Sequence, residues 1–271
     1  MNSLTLGLCL ASAGAFAAAL LAPEKPAEAC RAPFYGRNYA HRGLHTPDKS
    51  VPENSIPAFK RASELGYGVE LDVRLTKDGA IVVFHDDDTL RLCGTGDKVE
   101  GLTLAALREL RLCSTEFGIP LLSEALEAVG PDCPVIVELK RGSRNAELCE
   151  KTYEIIRRFG GTCCIESFDP RIVAWFRHNA PELLRGQLSA DPAELAKDTS
   201  RLNAFAVGNL LTNVLSRPHF IAYRIGRKPL SVRLCEKLGA MKVAWVSDSP
   251  AAEETNDAVI FEFYTPVPKY K

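Results

Sequence analysis

A chain of 271 residues holds one large domain or two small ones. With 46% hydrophobic and 25% charged residues it has the composition of an ordinary globular protein, with ample apolar material for a core. The 33 basic and 34 acidic residues leave a net charge of −1 and no long basic run, which excludes the positive surface of a nucleic-acid binder; any charge on a substrate must be met locally.

Residues 4–22 form an uncharged apolar stretch long enough to span a bilayer. It has no polar face, so an ordinary helix of a soluble domain is not expected there. As a signal peptide it lacks a basic start, although Ala27-Glu28-Ala29 would serve as a small-residue cleavage site and would yield a secreted protein. As an uncleaved anchor it has the right length, and Lys25, Arg31 and Arg37 follow it, which favours the cytoplasmic side. The anchor is the reading preferred, with the side of the membrane left open. The expected division is therefore a hydrophobic anchor or signal segment at 1–23, a linker at 24–37 and a single domain at 38–271. The nine cysteines are odd in number and include no CxxC pair, and several sit in apolar runs. Reduced, buried, structural thiols are expected, and no Cys/His spacing fits zinc.

Beyond the linker, β-rich apolar runs alternate with amphipathic helical patterns. Strands are expected at 39–40, 69–75, 135–140, 163–168, 184–188, 220–223, 243–247 and 258–261. Helices are expected at 56–65 with Ser55 as N-cap, 123–129, 145–159, 170–178 and 229–238. Eight strands with helices between them point to an α/β fold and a TIM barrel before an open sheet, though periodicity alone leaves a doubly wound fold standing. One segment breaks the alternation: after the turn Thr76-Lys77-Asp78-Gly79, residues 80–85 form a second apolar run and 86–118 read as polar and loop-rich.

The chemistry is concentrated between His41 and Asp86. Glu70 and Asp72 alternate with Val69, Leu71 and Val73, so on a strand both carboxylates share one face. Burying two like charges costs several kcal/mol unless a cation lies between them. Glu138 lies in the apolar run Pro134-Val135-Ile136-Val137-Glu138-Leu139-Lys140 and is the third candidate, with an ion pair to Lys140 as its structural alternative. Three carboxylates at strand ends feeding one barrel mouth favour one divalent cation, and all-oxygen ligation makes it Mg²⁺ or Ca²⁺. His41 and His85 each end an apolar run and flank the carboxylate pair, as a general base and general acid would. His45, His178 and His219 have no such context and read as surface or structural residues. Arg42 precedes a turn at Gly43 and can face the pocket for bidentate phosphate recognition. Lys140 neutralises phosphate or pairs with Glu138. Tyr223 and Trp245 fall near strand ends, where they either line an alcohol pocket or belong to the core.

The ordered series Tyr39-Ala40-His41-Arg42-Gly43, Pro52-Glu53-Asn54-Ser55 with Ala58-Phe59, Glu70-Leu71-Asp72-Val73, Thr76-Lys77-Asp78-Gly79, Val82-Val83-Phe84-His85-Asp86 and Val137-Glu138-Leu139-Lys140 resembles the glycerophosphodiester phosphodiesterase family. Fainter agreement runs through Glu166-Ser167-Phe168-Asp169-Pro170 and Trp245, so the resemblance spans roughly residues 38–264. It implies a TIM (β/α)8 barrel with a small insertion after strand 2, here preceded by an N-terminal hydrophobic helix. It also implies hydrolysis of a phosphoric diester to glycerol 3-phosphate and an alcohol, with Glu53 near the site. The resemblance, not the spacing, orders the histidines, His41 as base and His85 as acid. The chain departs from the family where Val246-Ser247-Asp248 stands in place of a common Asn after the Trp strand, and where Glu262 stands in place of Asp at the end of the last strand. Those changes bear on substrate choice and leave the metal–histidine set intact. Three rivals remain: a lysophospholipase D or phospholipase-like enzyme acting on an acylated lipid, which the apolar N-terminus favours; a membrane-tethered binding protein without turnover; and a glycosidase, which would not need Arg42 and two rim histidines. A small-molecule glycerophosphodiester and the membrane through residues 4–22 are the expected partners, and no protein partner is implied.

Overall fold

The computed structural model of the protein describes residues 18–271. Its strands are β1 (Arg37–Ala40), β2 (Gly68–Leu75), β3 (Ile81–Val83), β4 (Val135–Leu139), β5 (Cys163–Ser167), β6 (Arg185–Ser189), β7 (Phe220–Arg224), β8 (Met241–Ser247) and β9 (Ala258–Phe261). Leaving out β3, each strand pairs in parallel with the next, and β1 pairs with both β2 and β9. The sheet therefore closes into an eight-stranded barrel, and the doubly wound alternative is excluded. The main outer helices are α1 (Ile56–Glu64), α2 (Leu122–Val129), α3 (Asn145–Phe159), α4 (Pro170–Asn179), α5 (Arg201–Gly208) and α6 (Leu230–Lys237).

Period-two alternation sorts β2 between two environments. Val69, Leu71, Val73 and Leu75 point outwards into the cluster built with Leu122 and Leu126 of α2 and Leu148 of α3. Glu70 and Asp72 are left to point into the barrel. Lower in the barrel the interior is apolar, filled by Tyr39, Ile136, Cys164, Phe220, Met241 and Val243. Gly68 makes room there, since a Cβ at that position would lie 2.3 Å from the Tyr39 ring. The strand ends thus carry charge above a dry plug, which is the usual place for chemistry in a barrel. Helix α1 begins as expected: the Ser55 hydroxyl accepts from Ala58 N at 3.4 Å, and Ala58, Phe59 and Ala62 are buried against the sheet.

The segment after β2 differs from its expected form. The apolar run after β2 holds β3, antiparallel to β2 with Val73 opposite Val83. Beyond β3 the chain is not simply polar loop: short helical turns wrap a cluster of their own, Val82, Phe84, Leu92, Val99, Leu107 and Leu112. Apolar residues so sparsely spaced give no periodic signal. Between β6 and β7, where the sequence reading places no helix, three short helices, including α5, form the crossover.

Residues 1–17, most of the expected hydrophobic helix, lie outside the described residues, and among the described residues no helix is long and apolar enough to cross a membrane. Leu21, at the end of the apolar stretch, is buried with Leu210, Ile221, Tyr223 and Val232. Asn213 donates to Leu21 O at 3.3 Å and Arg217 to Ala22 O at 2.8 Å. Glu24 pairs with the buried Arg185 at 2.6 Å. The stretch expected to be linker is therefore packed on the barrel, and it carries the helical turn Glu28–Arg31. The eight described cysteines are all free thiols; Cys9 is outside the described residues.

Candidate active site

Strand register assembles the acidic layer. Asp72 stands opposite Glu138 across β2 and β4, and Glu138 opposite Glu166 across β4 and β5, with Glu70 one inward step below Asp72. All four are buried. Glu70, Asp72 and Glu138 each offer an oxygen, all within 4.8 Å of one another. Lys140 Nζ lies 2.9 Å from Asp72 Oδ1 and 2.7 Å from Glu138 Oε1, so both the structural alternative and the site role proposed for Lys140 share one geometry. Asn54 Nδ2 donates to Asp72 Oδ2 at 2.7 Å.

Burial pushes the Glu70 carboxyl well up, and its neighbours Asp72, Glu138 and Glu166 push it further. Burial raises Glu138 too, with Lys140 pulling the other way, and raises Glu166 strongly. Burial also opposes ionisation of Asp72, but Lys140, His85 and Arg42 outweigh it and hold this carboxyl well below its usual range. Four carboxylates thus face two cations, Arg42 and Lys140, and one Glu166 oxygen, Oε2, is buried with no partner among the described residues. The deficit of positive charge and the purely oxygen donor set fit a hard divalent cation.

The turn after β1 shapes the other wall. Arg42 adopts φ 54° and Gly43 φ 77°, and a Cβ on Gly43 would meet Ala58 and Phe59 at 2.9 Å. This turn lets Arg42 N donate to Glu70 Oε2 at 3.0 Å while the guanidinium folds back, Nε 3.3 Å from Asp72 and Nη1 2.6 Å from Glu53. Glu53 is one step removed from the cleft, held by Arg42 and by Arg91 at 2.7 and 2.8 Å. Burial works against its charge, yet the two arginines hold it down at about 2. Arg91 also holds Asp86 at 2.6 Å, and Asp86 Oδ1 lies 2.7 Å from His85 Nδ1. His41 Nδ1 lies 3.1 Å from Glu262, and its Nε2 is 4.0 Å from Glu70. Burial lowers the His41 pKa, partly offset by Glu262.

His41, Arg42, Glu70, His85, Glu138 and Lys140 line one side of a single cleft. The opposite side is apolar, formed by Phe168, Leu188, Trp245 and Ile260, with Glu166 at the seam. Trp245 stands edge-on to Phe168 at 5.5 Å, and its Nε1 donates to Ala222 O at 3.1 Å. Tyr223 is not brought here. Phe220 and Ala222 of β7 point into the barrel, so Tyr223 points outwards and packs with Leu21 and Val232 under the helices. The sequence reading missed Glu166, Glu262 and His45. Glu166 carries the signal that singled out Glu138, a carboxylate inside an apolar strand. Glu262 stood out only as a departure from the family pattern. Nothing in the local sequence marks His45, which is half-buried against Glu262.

Residues 41–261 match the model of the glycerophosphoryl diester phosphodiesterase family. The chain belongs to this family. A glycerophosphodiester phosphodiesterase of Caldanaerobacter subterraneus subsp. tengcongensis is 33% identical over 77% of this chain and 84% of its own length. The lysophospholipase D GDPD1 of Rattus norvegicus is 30% identical over 46% of this chain and 42% of its own length. The fold is that of an Oleispira antarctica phosphodiesterase solved with its product sn-glycerol-3-phosphate, with a TM-score of 0.67, 22% identity and coverage of 84% of this chain and 93% of that one. Family membership makes this chain a phosphoric diester hydrolase of the glycerophosphodiester phosphodiesterase class.

Proposed function

We propose that the chain hydrolyses glycerophosphodiesters to glycerol 3-phosphate and an alcohol in this cleft, with Glu70, Asp72 and Glu138 as ligands of one Mg²⁺ or Ca²⁺. The observation that carries the reading is the buried carboxylate trio with ligand atoms within 4.8 Å, flanked by two carboxylate-backed histidines. The cation, when bound, supplies positive charge against the negative charge that develops on the phosphate oxygens. Arg42 and Lys140 add two fixed cationic donors to the same phosphate. His41 takes the proton from the attacking hydroxyl: water gives glycerol 3-phosphate directly, whereas the hydroxyl of the substrate glycerol gives a cyclic phosphate that water opens in a second step. As the new O–P bond forms and the old P–O bond breaks, His85 gives its proton to the departing alkoxide. Phe168, Leu188 and Trp245 offer an apolar wall to the alcohol. The rat relative's name supports a second reading, in which the substrate keeps an acyl chain against that wall.

In this proposal the apolar segment serves as an uncleaved membrane tether only as far as residue 20, because Leu21 and Ala22 are held on the barrel. Cleavage after Ala29 would remove Leu21 from its cluster and Glu24 from Arg185, which argues against a signal peptide.

The histidine roles are separated by the leaving group. Each His→Ala change is expected to cost about 10²–10⁴-fold in kcat/KM on glycerophosphocholine. On p-nitrophenyl phosphodiesters, whose phenolate leaves without a proton, His85→Ala recovers much of its activity and His41→Ala does not. Equal impairment of both variants on both substrates would reject the assignment. Comparing glycerophosphocholine with lysophosphatidylcholine, in Mg²⁺ and in Ca²⁺, decides between the two substrate readings.

A further inference from the structure

Glu262 follows β9 in phase with Ile260, so its side chain turns into the barrel mouth beside His41. One of its oxygens, Oε1, lies 3.1 Å from His41 Nδ1 and 3.0 Å from His45 Nε2. The two rings come from opposite ends of the tight turn around Gly43, in which His45 N donates to Gly43 O at 3.0 Å. Backbone bonds fix the carboxylate from both sides: His41 N donates to Phe261 O at 3.0 Å, and Glu262 N to Ser247 O at 2.8 Å. His45 in turn packs edge-on against Phe263 at 5.1 Å. The side chains are sheltered, 12% exposed for His41, 9% for His45 and 24% for Glu262, so this is not a loose surface ion pair.

A carboxylate offers only acceptor sites. Both histidine nitrogens facing Oε1 must therefore donate, His41 through Nδ1–H and His45 through Nε2–H. That leaves the lone pair of His41 on Nε2, the nitrogen directed at the cleft and 4.0 Å from Glu70. Which ring nitrogen of a histidine is free is set by the bond its other nitrogen makes. We propose that Glu262, pinned by His45, is a positioning residue that holds His41 in the Nδ1-protonated tautomer and so makes Nε2 the proton-accepting atom of the reaction. The inference rests on the reading of His41 as the base. His85 has a separate support of the same kind in Asp86, 2.7 Å from its Nδ1 and itself fixed by Arg91. Each histidine thus has its Nδ1 held by a different carboxylate, one just after the last strand and one just after β3.

The test uses the full chain labelled with ¹⁵N-histidine, with resonances assigned by single histidine substitutions. Wild type is expected to show His41 with a protonated Nδ1 and a bare Nε2. Glu262→Leu removes the acceptor, so the tautomer mixes and kcat falls about 10–100-fold, the usual cost of losing a partner that orients a working histidine, with KM unchanged. Glu262→Gln keeps an acceptor oxygen and recovers most of the rate together with the tautomer. His45→Phe keeps the packing on Phe263 and lands between the two. Retention of the wild-type tautomer in Glu262→Leu overturns the proposal, and so does a Gln variant as slow as Leu. If Glu262→Leu mixes the tautomer yet it and His41→Ala both keep full kcat, the positioning geometry stands and the catalytic reading of His41 falls.

Discussion

Glu24 stands in the stretch that composition marks as linker, and among the described residues it is the only acid paired with Arg185. The Arg185 side chain is 0% exposed; its Nη2 meets Glu24 Oε2 at 2.6 Å and Arg217 O at 3.2 Å, while Nε and Nη1 have no partner among the described residues. Burial already lowers the Arg185 pKa, and Glu24 resists that. Replacing Glu24 by Gln leaves a buried cation uncompensated, a change that costs about 3–5 kcal/mol in a fully buried pair. Glu24 itself is 46% exposed and solvent takes up part of the loss, so roughly 2–3 kcal/mol is expected. In a domain of this size each 1 kcal/mol moves Tm by about 2–4 °C, which gives a fall of about 4–12 °C. Thermal unfolding of the full chain at pH 7, followed by circular dichroism, measures it. In an Arg185→Met background the same Glu24→Gln change should have only a small effect, because the buried charge is gone and the remaining partner, Arg177 at 3.4 Å, is part-exposed and screened by solvent. A Glu24→Gln Tm within about 1 °C of wild type, or an equal loss in both backgrounds, would refute the reasoning. The same argument predicts that cutting the chain at residue 34 destabilises it beyond Glu24→Gln, since burial of Leu21, worth about 1.5–3 kcal/mol, goes as well.

Chelation with EDTA should abolish turnover and Mg²⁺ or Ca²⁺ should restore it; Glu138→Gln should weaken cation binding in calorimetry while leaving the circular dichroism spectrum unchanged. Unaltered binding would return Glu138 to a purely structural pair with Lys140. Acid stability has a predicted source in His219, where burial and the nearby Arg185 charge hold the ring down at about 3. The unfolded chain takes up that proton near pH 6.5, so stability is full above 6.5 and is lost as pH falls from there towards 3. At pH 5 the loss from this one group is about 2 kcal/mol, and denaturant titrations at pH 6.5 and 5 should show it in wild type but not in His219→Asn.

Local pattern determined much of the chemistry. Alternation of Glu70 and Asp72 with Val69, Leu71 and Val73 is visible without a structure, because a strand's period of two sends one set to the helices and the other to the barrel. Ser55 before the α1 pattern is a start signal for the same reason: the hydroxyl's partner is three residues away. Where alternation fails, so does the reading. Phe220-Ile221-Ala222-Tyr223 is apolar at every position, and only closure of the barrel decides that Phe220 faces inwards and Tyr223 outwards. The supports of the site were decided by tertiary structure in the same way. Glu262 reaches His41 across 221 positions because β9 pairs with β1, and Glu24 reaches Arg185 across 161 because the N-terminal stretch folds back on the barrel. Such contacts depend on which strand ends meet when the sheet closes, and no periodicity within a segment encodes that.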